Sequence, residues 1–89
     1  MLRPVYSKRF ERDLKRVTRR GKDAAKLKDV IKKLIQQEKL DARYKNHPLQ
    51  GTYKGCYDYH IEPDWILIYR IKHDLIQFIR TGSHADLFR

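Results

Sequence analysis

The stretch HPLQGTYKGCYDYHIEPDW, His47 to Trp65, holds two histidines, two aspartates, three tyrosines and a tryptophan within nineteen positions. A third histidine, His84, follows the strand-like run LIQFIRTGS. Imidazoles suit a reaction that takes one proton and gives another near neutral pH. RNA cleavage is such a reaction: a base removes the 2′-OH proton, the oxygen attacks the adjacent phosphorus, and an acid protonates the departing 5′-oxygen. Cations are needed where charge builds on the phosphoryl oxygens. Lys45, Lys54 and Arg80 are available for that. Tyr53, Tyr57, Tyr59, Trp65 and Phe88 offer rings on which bases can stack, although Tyr57, Tyr59 and Trp65 equally suit a core. The fourth histidine, His73, lies between Lys72 and Asp74 and reads as a turn residue. Three histidines scattered along a chain also suit a solvated surface, so the residue types alone leave both readings open.

A metal centre is a poorer fit. Cys56, His60 and Asp64 are spaced by fours, but on a strand and turn that spacing gives no shared face. No Cys-x-x-Cys pair and no His-Glu-x-x-His pattern is present. The expectation is therefore no metal and no cofactor. Cys56, between Gly55 and Tyr57, has no neighbour that would activate it as a nucleophile.

The elements that must position these groups follow from periodicity. Leu2 to Tyr6 alternates weakly, and Pro4 makes it an edge strand. Ser7 suits an N-cap, with Phe10, Leu14 and Val17 at helical spacing and Gly21 as the stop. Asp23 suits the next cap. Leu27, Val30, Ile31, Leu34 and Ile35 then form an i, i+3, i+4, i+7, i+8 stripe. Asp41 to Gly51 reads as a connecting loop. Tyr57, Tyr59 and Ile61 alternate with Asp58, His60 and Glu62, as in a half-buried strand. Trp65–Ile71 and Leu75–Arg80 are two further strands, separated by turn residues. His84 to Phe88 reads as a short tail, about one helical turn. The expected fold is α+β: one domain, residues 1–89, with two N-terminal helices on one face of a curved antiparallel sheet. The other face is expected to be open, with His60 towards it.

Composition points to a polyanionic partner. Lys and Arg number 21 against 11 Asp and Glu, a formal charge of +10. Arg9, Arg12, Lys15, Arg16, Arg19 and Arg20 favour phosphate contact over a merely solvated face. One cysteine, no apolar run behind the basic N-terminus and no stretch of membrane-spanning length point to the cytoplasm and to no membrane partner.

The blocks HPLQGTYKGCYDYHIEPDWILIY and RTGSHADLF resemble the YafQ-like branch of the RelE/ParE toxin superfamily, the toxins of bacterial type II toxin–antitoxin modules. The resemblance spans nearly the whole chain and keeps the order of the HPL-x-G, H-x-x-x-D-W and R-T-G-x-H blocks. It implies a ribosome-dependent, metal-independent mRNA endonuclease. It carries catalytic roles to His47, His60, Asp64 and His84, and binding roles to Asp58, Arg80 and Phe88. His84 is the expected general acid, with His47 or Asp64 as base and His60 orienting the phosphate or the base. An acidic antitoxin is the implied partner, in a hetero-oligomer that also binds operator DNA. Two alternatives stand beside this: a non-catalytic ParE-like toxin acting on gyrase, and a bare RNA-binding module.

Overall fold

The computed structural model describes residues 1–38 and 47–88, with His47 described for its backbone alone. Ser7 Oγ accepts from the Phe10 N–H at 2.9 Å, satisfying a donor that a helix start leaves free. The same hydroxyl donates to the Ile79 carbonyl at 2.8 Å, tying the start of α1 (Lys8–Arg19) to the sheet. Gly21, at φ +95°, ends α1 in a Schellman pattern: its N–H bonds the Thr18 carbonyl, and that of Lys22 bonds Val17. Asp23 then caps α2 (Ala24–Ile35), accepting from the Ala25 N–H at 2.9 Å. The apolar stripe buries Leu27, Val30 and Leu34, with Ile31 and Ile35 half-buried beside them.

Five strands form one sheet: β1 (Arg3–Tyr6), β2 (His47–Pro48), β3 (Tyr57–Glu62), β4 (Trp65–Lys72) and β5 (Leu75–Gly82). Their order is β1-β5-β4-β3-β2. β3, β4 and β5 are the expected antiparallel meander. β1 is an edge strand, as Pro4 requires, but it runs parallel to β5, from Arg3 opposite Leu75 to Tyr6 opposite Phe78. The sheet is therefore mixed. The direction follows from what comes next: β1 must deliver Ser7 to Ile79, where α1 docks. The span predicted as plain loop also holds more than a loop, namely β2 and a single 3-10 turn at Gly51–Tyr53.

The helices cover one face. Phe10, Val17, Leu27 and Leu34 pack with Tyr59, Trp65, Leu67, Ile76 and Phe78. The opposite face is less open than expected. Cys56, Ile66, Ile68 and Leu87 form a second buried cluster, with Leu49, Tyr53 and Ile79 against it. Its cover is the 49–56 segment, folded on itself by the Leu49 N–H to Cys56 carbonyl bond at 2.9 Å, and α3 (His84–Leu87). Burial pushes the Cys56 thiol pKa up, which suits a packing role and not a nucleophile. No helix among the described residues is long and apolar enough to cross a membrane.

Candidate active site

α3 sets the position of His84. Ser83 caps it through a capping box: Ser83 Oγ accepts from the Asp86 N–H at 3.2 Å, and Asp86 Oδ2 accepts from the Ser83 N–H at 2.9 Å. The tight return brings Asp86 against Gly82, where an added Cβ would lie 2.8 Å from the carboxylate. Arg20, at the end of α1, grips Asp86 with both terminal nitrogens, at 2.6 and 3.1 Å. That guanidinium, and then the Ser83 bonds, hold the Asp86 carboxyl far below the usual carboxylate range.

His84 meets Asp64, which sits in the β3–β4 turn. One carboxylate oxygen, Oδ1, accepts from the His84 backbone N–H at 2.8 Å and lies 2.7 Å from Nδ1. The backbone bond first, and the side-chain bond second, lower the Asp64 pKa. An ionised Asp64 favours a proton on Nδ1 and leaves Nε2 outside that contact. The turn itself is anchored to the helices, since Glu62 accepts from Lys22 Nζ at 2.7 Å and Lys26 Nζ at 3.0 Å.

His60 lies beside His84, with ring centroids 5.6 Å apart and planes 74° apart. A register shift after His60 marks the place where β3 leaves regular pairing. Its Nε2 is 3.4 Å from Oδ2 of the buried Asp58, a long contact. Phe88 lies on the other side of His84, ring centroids 6.0 Å apart, and meets Tyr53 edge-on at 6.0 Å. Phe88 is 45% exposed. A cleft of about 390 Å³ opens beside this pair, bordered also by Arg9, Gln50, Thr52 and Arg80.

Of the residues expected to act here, His60, Asp64, His84 and Phe88 come together on one rim, with Asp58 buried behind His60. The β2–β3 register sets His47 opposite Asp58. Lys54 is exposed just after the 3-10 turn. Lys45 lies outside the described residues. Two placements differ from expectation. Trp65 is 1% exposed and donates its indole N–H to Thr81 Oγ1 at 2.9 Å, so it is core and offers no face to a ligand. Arg80 is 6% exposed, and its fork is taken by Asp13: Nε to Oδ2 at 2.9 Å and Nη2 to Oδ1 at 2.8 Å. The bonds to Asp13 raise the Arg80 pKa against the opposing effect of burial, so it is permanently charged. Nη1 lies 3.5 Å from the Asp86 carbonyl, and the Tyr53 side chain is a further hydrogen-bond partner of the guanidinium.

Sequence reasoning missed Asp13 and Asp86, and it read Arg20 as a phosphate contact where the structure pairs it with Asp86. Asp13 did leave a signal. It falls between Phe10 and Val17 at i+3 and i+7, on the stripe that buries, and an acid there requires a buried cationic partner.

Comparison with known proteins agrees with this architecture. The family model described as the bacterial toxin of type II toxin–antitoxin systems, YafQ, matches residues 2–89. The mRNA interferase toxin YafQ of Escherichia coli K12 is 50% identical over 84 residues, covering 93% of this chain and 91% of the relative. The crystal structure of YafQ from E. coli BL21(DE3) has a TM-score of 0.94 at 46% identity, with both chains fully covered. A crystal structure of the E. coli DinJ–YafQ complex matches with a TM-score of 0.91 at 47% identity, again over both full chains. The fold is thus that of a type II toxin with a RelE-like α+β architecture. The chain belongs to the YafQ family.

Proposed function

We propose that residues 1–89 act as one domain, the toxin of a cytoplasmic type II module, and cut mRNA on the ribosome by metal-independent acid–base catalysis. The observation that carries this is the Asp64–His84 pair, an imidazole whose Nδ1 is fixed at 2.7 Å and whose Nε2 is left to work. The interferase name of the 50%-identical E. coli relative supports it.

In this reading His60 or His47 takes the 2′-OH proton, and the oxygen bonds to phosphorus. The P–O5′ bond breaks, and His84 Nε2 gives its proton to O5′. The products are a 2′,3′-cyclic phosphate and a 5′-hydroxyl. In this reading Asp64 is given another role than base, because His84 engages its carboxylate and lowers its pKa. It orients His84 and stabilises the charged ring. Lys45 and Lys54 contact phosphates, Phe88 with Tyr53 stacks a base, and Asp58 steadies His60.

The proposed partner is a small acidic antitoxin, disordered in part when free, that masks the basic surface and carries the complex to operator DNA. The E. coli toxin has been crystallised with DinJ, which supports this.

The test is to map RNA 5′ ends on translating ribosomes with wild type and His84→Ala, and to identify the end groups at the cut. The variant should lose about 10²-fold or more in rate while staying folded. A cut that leaves a 5′-phosphate and a 3′-hydroxyl would overturn the mechanism; an unchanged His84→Ala rate would remove His84 from it.

A further inference from the structure

Arg9, Arg12 and Arg16 fall at i, i+3 and i+7 on α1, on one side of the helix. With Asp13 and Arg80 they line a second hollow of about 410 Å³. It is continuous with the aromatic cleft, because Arg9 and Arg80 border both. Four guanidinium groups thus face one carboxylate. That carboxylate is already committed, to Arg80, to Arg16 Nη2 at 2.8 Å and to the Thr81 N–H at 3.3 Å. Among the described residues, neither Arg9 nor Arg12 makes an ion pair. Arg16 adds an independent sign: its Nε is buried and has no acceptor among the described residues. A buried donor without a partner is rare.

We propose that this hollow is a phosphate subsite, in which Arg9, Arg12 and Arg16 hold a backbone phosphodiester of the substrate strand beyond the nucleotide stacked on Phe88 and Tyr53. The inference rests on the ribonuclease reading above and deepens it. The chemistry suits a phosphate: planar forks present paired donors at fixed angles, and a phosphate oxygen can accept from several at once. The location suits the substrate strand. A chain bound at His84 and running past the Phe88 ring meets the Tyr53 cleft, which Arg9 and Arg80 also border. Arg80 stands at the junction, its charge held in place by Asp13, so the path is positive along its length.

The experiment uses the full chain in a His84→Ala background, which binds without cutting. Binding of a short single-stranded RNA is measured against salt, with and without Arg12→Ala, while one phosphate at a time is replaced by an uncharged methylphosphonate. Arg12→Ala should reduce the slope of log K against log salt by about 0.7, the value for one phosphate contact on a single strand. One particular methylphosphonate on the wild-type arginine should weaken binding equally, and combining it with Arg12→Ala should add nothing further. Arg12→Lys should restore the salt slope in part but not the full affinity, since a point charge replaces a fork.

Equal, additive losses at every phosphate would overturn the subsite, as would a weakened antitoxin complex or ribosome complex with RNA affinity unchanged. Those outcomes leave the nuclease reading standing, provided that His84-intact protein cuts RNA. A wild type that neither cuts nor binds RNA removes both. Arg12 is exposed, and alanine is the best helix former, so loss of fold does not confuse the result.

Discussion

Asp13→Ala should cost far more stability than its position on a basic helix suggests. Asp13 is 3% exposed and accepts from four donors: Arg80 Nε and Nη2, Arg16 Nη2 and the Thr81 N–H. Removing it leaves the 6%-exposed Arg80 charged, buried and without its counter-ion. Breaking one side of a buried pair costs about 3–5 kcal/mol. A chain of this length has roughly 4–13 kcal/mol in all, so the variant is near or past the limit of folding. Urea titration at neutral pH is the assay, read as a shift in midpoint at constant slope. The melting temperature should fall by roughly 12 °C or more. Asp74→Ala is the internal control. Its pair with Arg3 is open to water, with side chains 62% and 72% exposed, and its loss should cost about 0–1 kcal/mol. Replacing both partners, as Asp13→Leu with Arg80→Met, should recover most of the loss, because no charge is then left buried. If Asp13→Ala destabilises no more than Asp74→Ala, Arg80 is not a locked internal cation and the account of the site's rear wall is wrong.

Other outcomes follow from the same geometry. Asp64→Asn keeps an oxygen near His84 but loses the charge; turnover should drop about tenfold, less than the loss of a proton donor outright, with unchanged circular dichroism, and an unaffected rate would dissociate Asp64 from catalysis. Asp86 has a lower pKa folded than unfolded, so its contribution is complete above the ordinary carboxylate value of about 3.9 and is lost as pH falls below it. Asp86→Asn should therefore lower stability at neutral pH and flatten the decline of melting temperature with acid, a comparison that thermal melts across pH can decide. Leu34→Ala should lose about 2–5 kcal/mol, because the side chain is buried in the helix–sheet core, while RNA cleavage per folded molecule in the cold stays at the wild-type rate.

The elements that rest on local chemistry were legible in the chain. Ser7, Gly21 and Asp23 mark helix limits by short-range bonds, and the period-two and period-3.6 patterns named the meander and the α2 stripe. What was not legible depends on pairing across long separations. Nothing near Arg80 says that Asp13, 67 positions earlier, will take its fork. The direction of β1 is set by where α1 docks, and the second apolar cluster forms only once the 49–56 segment folds over β4. At the rim, the histidines and Asp64 could be named from their blocks. Their contacts could not: nothing near either residue says that Asp64 and His84 will meet at 2.7 Å between a turn and a helix start. Trp65 reads the same whether it faces solvent or core, and only the Thr81 bond separates the two.

The pairing of β1 with β5 also sets the order in which the fold can close. α1 and α2 leave the ribosome first and can form their hairpin from local contacts. Ser7 must wait for Ile79, 72 positions later, before its hydroxyl finds the carbonyl that seats α1. The carboxylate of Asp13 has a similar wait for Arg80. Contacts of such long separation close late and slowly. The last of the described elements to be made, β5 and α3, are also those that carry Arg80 and His84. A chain made only as far as α2 therefore displays the basic helices without a finished rim. The rim cannot form before β5 and α3 have been made, however early the helices fold.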